Sequence, residues 1–216
     1  MYLKRQATPR SWPIPRKGTA YVVRPKSDLT NGIPTLIVLR DMLKITRNRN
    51  EAKKSLRLKQ IKINGKIVFD DRRPLKLFDI LTIIPIQKNY RLSLDEKGKF
   101  KLEEVKDKEA ERKIVKVINK KTLKNKKIQL NFSDGTNSIS HIKCNVGDSV
   151  IVYFKDNKIE KCLELKERVD VLVIGGKHIG AHGKIEKLDN KQKMVELNTK
   201  EDKKINVLIK QIIIIE

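Results

Sequence analysis

The sequence predicts an α+β chain built as several small domains, and three observations carry that expectation. Leu36, Leu39 and Leu43 recur at helical spacing. A hairpin is written into Ile61-Lys62-Ile63-Asn64-Gly65-Lys66-Ile67-Val68, where an Asn-Gly pair sits between alternating apolar residues. Beyond Lys88, short apolar runs alternate with turn residues, the pattern of a small barrel or sandwich.

Taken in order, residues 1–34 read as a basic extended arm. Residues 1–27 hold seven Lys/Arg, no acid and four of the seven prolines, Pro9, Pro13, Pro15 and Pro25. Such a stretch buries too little apolar surface to fold alone, so it is expected to order along a partner, with Tyr2, Trp12 and Tyr21 available to stack or dock. Residues 35–86 read as a compact unit that opens on the Leu36 helix. Asn48 is placed to cap a second helix and Glu51 to complete a capping box. In that helix Ala52 and Leu56 share one face, while Lys53, Lys54 and Arg57 fall on the opposite one. The Asn-Gly hairpin follows, Asp71-Arg72-Arg73-Pro74 ends it, and residues 78–84 read as a strand.

Residues 87–165 read as a β-rich central domain. Runs at 91–94 and 99–102 flank the connection Asp95-Glu96-Lys97-Gly98, and a short helix is expected from Asp107 through Ala110. Strands are expected at 114–118, 128–132, 149–154 and 159–165, with turns at Ser133-Asp134-Gly135 and Asp156-Asn157. Residues 166–216 form a last domain: a strand at 171–174, a glycine-rich loop from Gly175 to Gly183, and strands at 184–188, 194–197, 204–209 and 212–215.

Charge points to the partner. Fifty Lys/Arg against 26 Asp/Glu give a formal net charge of +24 over 216 residues. A lysine-biased composition alone would leave only a solvated surface, but here the charge is local. Residues 44–73 carry eleven Lys/Arg and three acids, Glu51, Asp70 and Asp71, whereas residues 167–216 carry ten against eight. A basic helix face, a hairpin with Lys62 and Lys66, and Arg72 and Arg73 beside a turn suit a phosphate backbone. Nucleic acid is favoured well ahead of an anionic membrane. With 38% hydrophobic and 5% aromatic residues, the cores should be small.

Other chemistries find little support. Cys144 and Cys162 form no Cys-x-x-Cys pair, which fits a reducing cytosol. The first residues lack the apolar core of a signal peptide, and no apolar run approaches the ~20 residues that span a bilayer. The glycine loop has neither P-loop nor Rossmann spacing. His178 and His182 with the two cysteines lack a zinc knuckle, so no metal is expected. His141 has no nucleophile beside it, and Glu103-Glu104 and Asp70-Asp71 sit in polar turns. No cofactor, small-molecule substrate or enzymatic activity is expected.

Specific stretches carry a family resemblance. Residues 48–84 resemble the alpha-L, or S-four-like, RNA-binding motif, and residues 171–188 look like a KOW motif. With Leu3-Lys4-Arg5-Gln6-Ala7-Thr8-Pro9-Arg10-Ser11-Trp12, Leu130-Asn131-Phe132-Ser133-Asp134-Gly135, Gly147-Asp148-Ser149-Val150 and Ile174-Gly175-Gly176-Lys177-His178-Ile179-Gly180, the chain resembles the archaeal and eukaryotic S-four-e family of small-ribosomal-subunit proteins, closest to its archaeal members. The resemblance implies an S-four-like domain, a β-rich central domain and a C-terminal KOW SH3-like β-barrel. It also implies a structural constituent of the cytoplasmic ribosome, monomeric within it, whose partners are small-subunit rRNA and neighbouring ribosomal proteins. RNA contacts would come from Lys4, Arg5, Arg10, Trp12, Arg16, Lys17 and Arg24 of the arm, and from Lys44, Arg47, Arg49, Lys53, Lys54, Arg57, Lys59, Lys62, Lys66, Arg72 and Arg73 of the helix-hairpin. Lys177 and His178 of the glycine loop complete the set. Two departures stand out: Lys59 replaces the family's glycine before the first hairpin strand, so that turn is expected to be less tight or to use a different conformation, and the sequence starts without the short basic leader of many members, which is expected to reduce contacts at the very N-terminus. A free RNA-binding regulator or KOW-type transcription factor is the alternative. An RNA-modifying enzyme would need a large catalytic domain, which the residues after Pro85 fit poorly.

Overall fold

The computed structural model describes residues 2–123, 127–140, 142–154, 156, 158–189, 192–199 and 204–215. His141 and Asn157 lie outside the described residues. The chain divides into two compact units, residues 1–95 with 99–111, and residues 96–98 with 112–216.

In the first unit, β1 (Leu3–Lys4) pairs antiparallel with β2 (Tyr21–Val22). The arm is therefore folded back on itself rather than extended, which corrects the expectation for residues 1–34. Leu3 and Trp12 are buried. The Trp12 indole donates from Nε1 to the carbonyl of Gly32 at 3.0 Å, and the Phe100 amide donates to the Ser11 carbonyl at 2.8 Å. Two anchors of this kind supply the burial that the proline-rich sequence lacks on its own. β3 (Gly32–Pro34) leads into α1 (Thr35–Ile37), which widens into a π-helical stretch, Val38–Met42, closed by Leu43 N–H to Val38 O at 2.9 Å. Thr35 to Leu39 are all buried, as a helix enclosed on every side must be.

α2 (Arg49–Arg57) follows, then β4 (Ile61–Ile63) and β5 (Lys66–Ile67). β6 (Pro74–Lys76) pairs with β3, a two-stranded element with no signal in the sequence pattern. β7 (Ile80–Ile83), β8 (Lys88–Leu94) and β9 (Phe100–Val105) complete a five-stranded sheet in the order β5-β4-β7-β8-β9. The boundary expected between Ile86 and Gln87 falls inside this sheet, because β8 pairs directly with β7. The strand expected from Phe78 also starts later. Phe78 is left-handed (φ 63°) and buried, and Asp79 accepts from Asn64 Nδ2 at 2.7 Å and from Lys76 N–H at 2.9 Å, which turns the chain before β7. In place of the helix expected at Asp107 there is one turn, closed by Glu109 and Ala110 N–H to Lys106 O.

The second unit holds two five-stranded antiparallel sheets. β10 (Arg112–Thr122), β11 (Ile128–Phe132), β12 (Asn137–Ser140), β13 (Ser149–Tyr153) and β14 (Ile159–Leu163) run in the order β12-β11-β10-β13-β14. Val115, Val117, Leu130, Phe132, Val150, Val152 and Cys144 form their core. The long β10 serves both halves, pairing with β13 through 112–116 and with β11 from Val117 onward, with a register shift between Val117 and Asn119. β15 (Asp170–Val173), β16 (His182–Asp189), β17 (Met194–Thr199), β18 (Lys204–Leu208) and β19 (Ile212–Ile214) run in the order β18-β17-β16-β15-β19. Val171, Val173, Ile185, Val195, Leu197, Val207, Ile212 and Ile214 form the second core. Polar bonds join the sheets: Ile214 N–H donates to Ser149 Oγ at 2.9 Å, and Lys116 Nζ donates to the carbonyls of Ile212, at 2.7 Å, and Ile209.

Candidate nucleic-acid interface

The basic helix is fixed at its start by its own sequence. Asn48 is extended (φ −136°, ψ 171°), and its Oδ1 accepts from Glu51 N–H at 3.0 Å. The Glu51 carboxylate reaches back to Arg47 N–H at 2.7 Å, one residue beyond the usual partner of a capping box. Ala52 and Leu56 are fully buried, and Lys53, Lys54 and Arg57 are exposed, as their spacing predicts. At the other end Lys59 takes the left-handed conformation (φ 57°). Lys59 N–H bonds Leu56 O at 3.0 Å and Gln60 N–H bonds Ser55 O at 3.2 Å, a helix ending usually built on glycine. The turn thus stays tight without glycine, at a cost of roughly 1–2 kcal/mol, which corrects the expected loosening.

The hairpin turns through Asn64 (φ 50°) and Gly65 (φ 75°), the two positive φ values of a type I′ turn. Asn64 does more than turn the chain. Its Oδ1 accepts from Ile80 N–H at 2.9 Å while its Nδ2 holds Asp79, so the tip is tied to the start of β7. Lys62 stands opposite Ile67, and Lys66 stands opposite Ile63. Register partners share a face, so the two lysines point to opposite faces of the ribbon. Lys66 is exposed and Lys62 half-buried.

Each of the three acids among residues 44–73 bonds to a group of the same chain, with Asp71 buried, Asp70 half-buried and Glu51 exposed. Glu51 holds the Arg47 amide, Asp70 Oδ1 accepts from Arg72 N–H at 2.9 Å, and buried Asp71 pairs with Arg49 at 2.6 Å. Among the described residues, exposed Lys44, Arg47, Lys53, Lys54, Arg57, Lys59 and Lys66 then have no carboxylate partner within ion-pair distance. With eleven cations against three acids, this stretch keeps a net positive field for an outside anion.

Other expected contacts are occupied within the chain. Trp12 is 2% exposed, so neither ring face is open to a base; it fills a pocket, which corrects its assignment as an RNA contact. Arg5 donates from Nε to Thr19 O at 2.7 Å, from Nη1 to Pro15 O at 2.8 Å and from Nη2 to Thr19 Oγ1 at 2.8 Å. With all three nitrogens engaged, it staples the arm loop. Arg49 is directed to Asp71, and Arg72 Nε donates to Arg24 O at 3.1 Å. These bonds tie Arg5, Arg49 and Arg72 to the fold, while Arg49 stays exposed. Lys4, Arg10, Arg16 and Lys17 are exposed, and Arg24 and Arg73 half-buried.

In the second unit, Lys177 is exposed and His178 half-buried on the loop after β15. Gly183 is required by packing, since a Cβ there would fall 2.5 Å from the carbonyl oxygen of Asn198. Cys144 lies in the first core with Cys162 packed against it. Burial pushes both thiols above their usual range, and nearby Asp148 raises them further, so both stay protonated. Among the described residues no group of three or more His, Cys, Asp and Glu side chains is placed to hold a metal, and no helix is long and apolar enough to cross a membrane.

Comparison with known proteins gives this architecture a class. The family model described as ribosomal family S4e matches residues 86–159, and the RS4NT (NUC023) domain matches residues 2–27. The small ribosomal subunit protein eS4 of Methanocella arvoryzae is 38% identical over 190 residues, 87% of this chain and 80% of that protein. The protein of the same name from Methanococcus maripaludis (strain C5) is 34% identical over 214 residues, 94% of this chain and 87% of that one. The crystal structure of the 30S ribosomal protein S4e from Thermoplasma acidophilum shares the fold, with a TM-score of 0.73 over 88% of this chain and 96% of that chain at 24% identity. The class is that of a ribosomal protein and not an enzyme. Within that class, the chain belongs to the ribosomal family S4e.

Proposed function

We propose that this protein is a structural constituent of the small ribosomal subunit that binds and stabilises its rRNA through α2, the turn at Lys59 and the Asn64-Gly65 hairpin, with the arm alongside. The observation that carries this reading is that Glu51, Asp70 and Asp71 bond to Arg47, Arg72 and Arg49, while among the described residues exposed Lys53, Lys54, Arg57, Lys59 and Lys66 have no ion-pair partner. Lysine and arginine side chains there position the protein on phosphates and 2′-hydroxyls. In this reading α2 and the hairpin, within residues 35–86, work as the S-four-like module. Residues 166–216, with five antiparallel strands around one core, work as the KOW barrel. Neighbouring ribosomal proteins are further partners of a chain that enters the subunit as a monomer.

Sedimentation tests the reading. The protein should pellet with small subunits in high-magnesium buffer and be released only as the salt is raised. A chain that stays in the supernatant while the subunits pellet is a free RNA-binding regulator, and the proposal falls.

A further inference from the structure

On the outward face of the β1–β2 ribbon Lys4 is an expected phosphate contact, but the phosphate-binding surface gives the tyrosines beside it no role. Leu3 stands opposite Val22 and Lys4 opposite Tyr21. Side chains alternate along a strand, so buried Leu3 marks the inner face and Tyr2, Lys4 and Tyr21 share the outer one. Tyr2 is 66% exposed and Tyr21 59%. Their rings meet edge to face, with centroids 5.2 Å apart and planes at 81°. In such a pair the ring that offers its edge keeps both faces open and its partner keeps one, and the contact holds the two side chains in place before any ligand arrives.

We infer that Tyr2 and Tyr21 form a stacking ledge for an unpaired base of rRNA, with Lys4 beside it for that nucleotide's phosphate. The inference rests on the rRNA-binding reading above and adds what this face recognises. Charge selects the occupant: residues 1–27 bring seven cations and no acid to this part of the chain, a setting that favours an anion carrying a π face over an apolar protein segment. Paired bases are covered by their neighbours, so the ledge takes a base from a bulge, loop or strand end.

The test uses the full-length chain with an RNA duplex and with the same duplex interrupted by unpaired adenines, one replaced by fluorescent aminopurine. The wild-type protein should hold the bulged RNA roughly ten-fold more tightly than the uninterrupted duplex and quench the fluorophore. The double variant Tyr2→Leu/Tyr21→Leu should lose both the preference and the quench while keeping its affinity for the duplex. The Tyr2→Phe/Tyr21→Phe variant should keep both, since stacking needs the ring and not the hydroxyl. A wild-type chain that binds both RNAs without quenching, or a Leu variant that keeps preference and quench, overturns the ledge and leaves the phosphate surface standing. A Leu variant with unchanged RNA discrimination that fails to enter small subunits assigns the face to a protein neighbour and also overturns it. If the wild type binds neither RNA, the rRNA reading itself fails, and the ledge with it.

Discussion

The helix-hairpin surface and the last sheet are both rich in lysine, yet they handle charge in opposite ways. Around α2 the three acids of residues 44–73 bond to the Arg47 and Arg72 amides and to the Arg49 guanidinium, and among the described residues exposed Lys53, Lys54, Arg57, Lys59 and Lys66 have no ion-pair partner. In the second unit acids meet cations at the surface, as in Lys204–Glu186 at 2.7 Å and Lys166–Glu164 at 2.5 Å. The cations that are buried there hold the fold, Lys113 on Asp134 and Lys116 on two carbonyls. Exposed pairs of this kind contribute little stability, but they quench the outward field. Net charge therefore says less about a partner than where the acids point.

Mutations can break this contrast. Asp134→Ala should have the largest effect, destabilising the second unit by about 3–5 kcal/mol in thermal or denaturant unfolding, because it takes the Asp134 carboxylate away from buried Lys113. Charge reversal at the surface comes next. Lys53→Glu with Arg57→Glu should lower rRNA affinity about a hundred-fold at low salt without moving the melting temperature, since both side chains are exposed. Lys204→Glu, on a surface already paired, should change affinity less than about two-fold. Equal losses from the two surfaces would erase the distinction.

The third effect reads out in pH. Burial pushes the Lys116 ammonium down to about 8 from an ordinary 10.5. The unfolded chain then holds more protons between those values, so stability rises as pH climbs from about 8 to 10.5, and the cost of the buried charge is fully present below 8. Unfolding followed across this window should show a gain of roughly 2 kcal/mol, less than burial alone would give because the carbonyls of Ile209 and Ile212 accept from the ammonium. Lys116→Met should flatten the slope. The smallest effect belongs to the cap: Asn48→Ala should cost about 1 kcal/mol and weaken rRNA binding only as far as α2 frays.

What the sequence disclosed about the fold follows the range of the interactions. The cap at Asn48, the two faces of α2 and the Asn64-Gly65 turn depend on neighbours within four residues, and each stands where the pattern puts it. Trp12, Arg5 and Arg49 looked like free binding groups because their partners lie 10 to 22 residues away. Tyr2 and Tyr21 read in the sequence as available to stack or dock, but only the register of β1 against β2 puts both rings on one face. The boundary at residue 86 failed because periodicity identifies strands without saying which pair, and β7 chose β8. Lys59 shows the reverse case, where an unfavourable residue keeps the conformation that the surrounding helix end and hairpin impose.

The most direct test of the uncompensated surface is the salt dependence of binding to small-subunit rRNA, comparing the wild type with the Lys53→Glu/Arg57→Glu variant. If about 6–10 phosphates are neutralised, the logarithm of affinity falls linearly with the logarithm of salt, and affinity drops by roughly three to five orders of magnitude between 50 and 200 mM. The variant's line should be shallower by about two in slope. A wild-type slope near zero, or a variant line parallel to the wild type's, would show that rRNA is held by something other than these cations.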